Sequence, residues 1–384
     1  MVIAEFGELP TTPIGHIGVV DYVGSAFDLA IQLKAYSGET ALARIKRLCT
    51  QISVPLSYFG DLSGNALTDT TLMGAQHVDT ALNIITECAN TELGTLTEPR
   101  GDTGLLYRTR ASLYNQYLTA LLDYTGGQIA PPFQPVDDDQ LTRNDLTVTR
   151  RDGTFATAAL LTGRMSILDP SAGGVGIYDT AVTVNVATDD QLPDIAGWLL
   201  NVGTVDQTRY PQVRVDLANP KVSADPALTA GILDLAVDDF FQIVNPKPGQ
   251  TPDEINLIAR GYSEHISTFE HSITINAAPE VPYDIARLDT PGAKFATTGS
   301  TLTCGVTATA TSLSVATTSG ALWTTSPAAM PILITVGGER MNVTAVTGTT
   351  SPQTFTVTRA VNGVVKTQTA GTAVQLSFPL AIPL

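Results

Sequence analysis

Apolar residues near the start of the chain recur twice at helical spacing. Ser37 and Glu39 precede Ala41, Leu42, Ile45, Leu48, Cys49 and Ile52, a three-to-four rhythm that predicts a capped amphipathic helix over about 38–52. Pro55 stops it, and VPLSYFG reads as a short strand. Val78, Ala81, Leu82, Ile85, Cys88 and Ala89 repeat the rhythm and predict a second helix over about 76–90. LGTLTEP and GLLYRTRASL then alternate on either side of Arg100, Gly101, Asp102 and Thr103, which is hairpin material. These elements make an α+β unit, assigned to residues 1–124.

The pattern breaks at 125–145, where Pro131, Pro132, Pro135 and two adjacent glycines exclude a helix or central strand and predict a linker or a loop crossing a surface. Alternation resumes around Asp152-Gly153 and in YDTAVTVNVAT, and DDQLPDIAGWLLNVG predicts a helix with Ile195, Trp198 and Leu199 on its apolar face. YPQVRVDL, LAVDDFFQIVN, DEINLIARGYSEHIS and TFEHSITINAAP predict four further strands, with a short helix over about 226–233. Residues 125–297 are therefore expected to form a mainly β, barrel-like domain entered by the proline-rich loop. From 298 to 384 threonine and valine alternate through PILITV, RMNVTAV, TFTVTRAV and AVQLSF, with Gly337-Gly338 and Asn362-Gly363 as two-residue turns and GSTL as a further glycine turn; GGVG at 173–176 reads as another. That predicts a small all-β sandwich or barrel, and the fold class is α+β, mostly β and multi-domain. No repeat of fixed period runs through the chain.

With 384 residues, more than one hydrophobic core is expected, and 43% hydrophobic against 15% charged residues is a folding composition. Acidic side chains outnumber basic ones 37 to 21, a net charge of −16 that disfavours nucleic acid and anionic lipid as partners. No stretch reaches the roughly 18 to 20 apolar residues of a membrane span, and MVIAEFGELPTTP lacks the basic start and apolar run of a signal peptide. The expectation is a soluble chain made in a cytoplasm. Cys49, Cys88 and Cys304 are too far apart for paired metal spacing, and the first two fall on apolar helix faces as buried thiols.

Chemistry-bearing residues are sparse. His16, His77, His265 and His271 sit in no ligand spacing, although His265 and His271 fall six apart across a strand-turn-strand. Asp137, Asp138 and Asp139, with Asp145 nearby, lack the spaced ligands of an EF-hand loop and read as a solvated acidic loop. A glycosidase needs two carboxylates about 5 to 10 Å apart; Glu87, Glu92 and Glu98 are the candidates, set at a helix end and a hairpin where capping or solvation is the ordinary role. GxSxG, a GxGxxG after a strand, a Walker loop and a Cys–His pairing are all absent. No catalytic, cofactor-binding or metal residue is assigned, and no cofactor is expected.

Several long segments resemble one family. SGETALARIKRLC, VPLSYFGDLSGNALTDTTLMGAQ, ALNIITECANTELGTLTEPRGDTGLLYRTRASLYNQ, DDDQLTRNDLTVTRRDG, YDTAVTVNVATDDQLPDIAGWLLNVGTVDQTRYPQVRVDL and TSPQTFTVTRAVNGVV look like the minor tail proteins of siphophages that infect actinobacteria. The resemblance covers about 37–384 and contains no catalytic motif. The helix, strand, helix, hairpin order ending in PRGDTGLLYRTR is also similar to the domain of tail-hub and baseplate-hub proteins. It implies a structural virion protein, usually a homotrimer, ringing the distal end of the tail. The partners it implies are the tail tube or distal tail proteins, the tape measure protein, and tail fibres or receptor-binding proteins. Relatives carry a longer N-terminal half, which implies that part of the hub sits on another chain. Two alternatives remain: a carbohydrate or receptor adhesin using an exposed Trp323 in the C-terminal domain, and a tail-associated cell-wall hydrolase using Glu92 or Glu98.

Overall fold

The computed structural model describes residues 34–60, 70–136, 140–247, 254–285, 294 and 299–379. Strand predominates over helix, and the strands fall into four sheets. The expected mostly β, α+β fold is the one observed.

Helix α1 (Ala41–Gln51) starts three residues later than its predicted edge because Thr40, not Ser37, caps it, its side chain accepting from the Ala43 amide. Glu39 instead receives both Arg44 and Arg47, at 3.2 and 2.8 Å. Helix α2 (Ala81–Glu92) likewise begins later than 76, at a Thr80 cap. That leaves Val78 and Leu82 on the outside, 84% and 58% exposed, while Ile84, Ile85, Cys88 and Ala89 make the buried stripe. The two helices share a core with Met73 and Tyr107. They lie against a small sheet in which β3 (Leu105–Arg108) runs between β1 (Leu56–Phe59) and β2 (Thr95–Thr97), parallel to the first and antiparallel to the second.

A second three-stranded sheet has the order β6 (Phe155–Ala159), β5 (Asp145–Arg150), β7 (Asp179–Val184). The β5–β6 hairpin turns at Asp152, whose φ is 59°, as the Asp-Gly pair foretold. Helix α3 (Leu192–Gly203) covers this sheet with Leu192, Ile195 and Ala196.

The largest core belongs to a five-stranded sheet in the order β4 (Ala120–Asp123), β9 (Phe240–Val244), β10 (Ile255–Ile266), β11 (His271–Pro279), β8 (Gln212–Asp216). A one-turn helix, α4 (Pro220–Ser223), leads into α5 (Pro226–Asp234), which buries Leu228 and Ile232 in this core. The proline-rich stretch is not a free connector. Ile129 and Phe133 are buried, Phe133 stacks on Tyr210 at 4.8 Å, and the backbone bonds to β8 and its approach through Ala130–Arg214 and Val136–Arg209. Its apolar side chains drive it onto the sheet, and its prolines, which cannot donate, close that edge to further pairing.

The C-terminal sheet has the order β12 (Ser300–Leu302), β13 (Ser312–Thr317), β16 (Gln353–Thr358), β15 (Glu339–Thr347), β14 (Ile332–Val336), β17 (Val374–Leu376). Its outer strands approach each other, with a bridge between Thr301 and Ala373 and a 2.9 Å bond from the Leu302 amide to the Thr372 carbonyl, so the sheet is a nearly closed barrel. Strict alternation lines the inside with Leu313, Val315, Ile334, Met341, Val343 and Phe355. Gly337-Gly338, at φ 56° and 85°, makes the predicted β14–β15 turn. Asn362-Gly363 does not join neighbouring strands, because β16 lies between β13 and β15 while β17 pairs with β14. Asn362 instead accepts from the Arg340 amide and donates to the Gly338 carbonyl, pinning a longer connection. GSTL is likewise more strand than turn, since Ser300–Leu302 is β12.

Cys49 and Cys88 are buried as expected, and burial raises both thiols, Cys88 to about 12; Cys304 is exposed. A maleimide added to native protein should therefore label one thiol, at Cys304, and reach the other two only after denaturant, which intact-mass measurement resolves.

Candidate functional site

The residues singled out for chemistry do not converge. His265 and His271 flank the β10–β11 turn, but each faces a glutamate: His271 lies 2.6 Å from Glu264 and His265 3.8 Å from Glu270. His77 approaches Asp152 at 3.8 Å, and His16 lies outside the described residues. Among the described residues no group of three or more His, Cys, Asp and Glu could hold a metal ion. Asp137, Asp138 and Asp139 lie outside the described residues, and Asp145 opens β5. Glu87 is taken by Arg151 at 2.8 Å and Asn185 at 3.0 Å, and Glu98 is exposed in the β2–β3 loop. Glu92 is 3% exposed and accepts from the Tyr107 hydroxyl at 2.6 Å. Among the described residues no helix is long and apolar enough to cross a membrane.

Trp323 is buried, which corrects the exposed position that the adhesin alternative requires. Its indole N–H donates to Ser300 Oγ at 2.9 Å and its ring meets Phe355 edge to face at 5.4 Å.

What the fold leaves open is backbone. β10 has 12 residues and β9 only 5, so β9 pairs with Ile255–Ile258 and stops. Beyond a bulge at Arg260, the segment Gly261–Ile266 pairs with β11 on one side. Among the described residues nothing pairs with its other side, so a row of amides and carbonyls faces outward. Exposure rises along this arm to its tip, where Ile266 is 67% and Phe269 92% exposed. Among the described residues β4, at the far edge of the same sheet, pairs with no strand on its other side; Tyr117 and Leu118 before it and Leu121 within it are 87%, 44% and 46% exposed. Among the described residues the sheet is thus covered along β8 and unpaired at β4 and at the outer half of β10.

The bulge sets the arm's base. An extra residue turns the Arg260 side chain out of the pleat, where its guanidinium bonds to the fully buried Asp238 and to the Tyr283 hydroxyl. Arg100, from the β2–β3 loop, stacks on Tyr262 at 3.7 Å and bonds to the Leu233 carbonyl. Neither contact was visible in the pattern, although a glycine following an arginine inside a strand is the usual trace of a bulge.

No family model matches the chain, and no curated protein matches it. Among the solved structures similar over part of their length are two tail proteins. The 43 kDa tail protein of prophage MuSo2 from Shewanella oneidensis matches at TM-score 0.42 and 11% identity, covering 65% of this chain and 67% of that one. The tail protein from Neisseria meningitidis MC58 matches at TM-score 0.40 and 13% identity, covering 63% and 66%.

Proposed function

We propose that this chain is a non-enzymatic structural subunit of a bacteriophage tail, a hub or minor tail component of a siphophage. In this reading it assembles with copies of itself, as a homotrimer ringing the distal end of the tail tube, and supports fibres or receptor-binding proteins. The resemblance of residues 37–384 to minor tail proteins supplies the class. The observation that carries the mechanism is the half-paired arm of β10, because an unpaired strand edge is a template for a strand from another chain.

The two open places on the sheet differ, and that bears on symmetry. An arm pairing with the same arm of a second copy gives a closed twofold dimer. An arm laid against β4 of a neighbour is a head-to-tail contact, which gives a ring where the rotation between copies closes, and the exposed apolar side chains at β4 give that contact a dry centre. The net charge of −16 keeps free subunits apart until these surfaces meet.

Native mass spectrometry of the purified chain should show trimer. Along an antiparallel strand successive amides point to opposite sides, so of Ser263→Pro and Glu264→Pro one removes an outward donor. That variant should be monomeric with an unchanged circular dichroism spectrum. A wild-type chain that stays monomeric at every concentration, or a trimer indifferent to both prolines, contradicts the mechanism.

A further inference from the structure

A small aromatic core sits where three parts of the molecule meet. Leu113 follows β3, Trp198 belongs to α3, Ile258 to β10, and Tyr283 to the turn after β11. Tyr114 meets Trp198 edge to face at 5.4 Å, and Trp198 meets Tyr283 at 5.6 Å. The backbone joins in: the Asn115 amide donates to the Tyr283 carbonyl at 3.0 Å, and the Ile285 amide donates to Asn115 Oδ1 at 3.1 Å. This core ties the first α/β unit and α3 to the five-stranded sheet.

Two carboxyls are buried at its borders. Glu92 accepts from the Tyr107 hydroxyl at 2.6 Å and from the Arg110 amide at 3.2 Å. Gly94 crosses so close that a Cβ there would fall 2.6 Å from Glu92 Oε2 and 2.8 Å from the Tyr107 hydroxyl, so this carboxyl is built into the packing. Glu280, 8% exposed, opens the turn that carries Tyr283, and among the described residues its side chain has no hydrogen-bond donor.

Burial favours the neutral acids, although the hydrogen bonds that Glu92 accepts favour its carboxylate. Tyr107, Arg110 and Tyr114 face Glu92, with Cys88 behind Tyr107 and the Arg110 guanidinium 5.5 Å over Trp198. Desolvation raises Glu92 to about 7, against the pull of Tyr107 and Arg110. Glu280 faces Asp284, and desolvation, then repulsion from that carboxylate, raises it to about 7 as well. Across Tyr283 the Arg260 guanidinium is matched by Asp238, so it leaves no spare positive charge for Glu280.

We propose that this joint is a proton-operated clasp: with Glu92 and Glu280 neutral it holds the first unit and α3 on the five-stranded sheet, and their ionisation loosens it. The folded chain keeps protons that the unfolded chain releases near 4.5, so stability falls as pH rises from there to about 7 and is level above. The clasp is separate from the open edge of β10 and operates in a single subunit.

Amide exchange and urea unfolding of the full chain between pH 5 and 8 test it, in wild type, Glu92→Gln, Glu280→Gln and the double variant. The wild-type unfolding constant should rise on the order of a hundred-fold per carboxyl. Protection of the Asn115 and Ile285 amides, corrected for intrinsic exchange, should fall in step. Each single variant should remove about half the slope on a logarithmic scale, and the double should be flat. A double variant that keeps the wild-type slope, or joint amides whose protection ignores pH, overturns the proposal. Should Glu92→Gln fail to fold, Glu280→Gln alone decides, because its carboxyl has no hydrogen bond to lose; a profile identical to wild type contradicts the clasp.

Discussion

Glu339→Ala should destabilise the C-terminal barrel by about 3–5 kcal/mol, the range for breaking a buried ion pair from one side. Glu339 begins β15 with no exposed side-chain surface, and Arg359 grips it with two bonds of 2.6 and 2.5 Å. The same carboxylate receives Gln368 at 3.3 Å and the amides of Ala360 and Lys366 at 3.4 Å. Arg359 also donates to the carbonyls of Thr307 and Lys366, both at 2.7 Å, so one pair fixes three stretches of chain. Alanine would leave the guanidinium, 7% exposed, buried without a counter-charge. Desolvation raises the Glu339 carboxyl, but the Arg359 and Gln368 hydrogen bonds, the Arg359 charge and the Lys366 amide outweigh it and hold the group below its usual range. A depressed acid stabilises above its unfolded pKa and loses that contribution as pH falls through the folded value. The barrel should therefore weaken in acid, the reverse of the clasp. Urea melts followed by Trp323 fluorescence in a Trp198→Phe background isolate the barrel and check both size and sign.

Arg260→Ala is expected to cost about 3 kcal/mol and to loosen the base of the β10–β11 arm. Its partner Asp238 is fully buried at φ 69°, and Asp238 Oδ2 already has no hydrogen-bond partner, so the loss of Arg260 leaves a carboxylate with little to hold it. Asp238→Asn, which removes that charge, should recover part of the loss when added to Arg260→Ala, although it destabilises alone. A double-mutant cycle by urea unfolding measures the coupling. Strict additivity of the two changes would show that the pair carries nothing.

Most strands were legible because one face of each sheet is buried, and period-two alternation records that directly: β16 reads buried, exposed, buried through QTFTVT. Helices were legible as stripes and less so at their ends, because Ser37 and Thr40 are both able caps and only the packing of Glu39 against Arg44 and Arg47 selects the second. The proline-rich stretch was legible as a loop crossing a surface, but not which surface it crosses. Its composition excludes a central strand, yet Ile129 and Phe133 hold it on a sheet edge, which is a long-range fact. Glu92 looked like a solvated helix end; Gly94, two residues on, lets Tyr107 close over it. The open arm was beyond reach, since it arises from a mismatch between β9 and β10, strands whose pairing no local window contains.

The central claim is that the chain works as part of a phage tail. Immunogold labelling of intact virions, with antibody raised against this chain, tests that claim without assuming a symmetry. The account predicts gold at the distal end of the tail. Tails without gold, with the protein left soluble in the lysate, would contradict it.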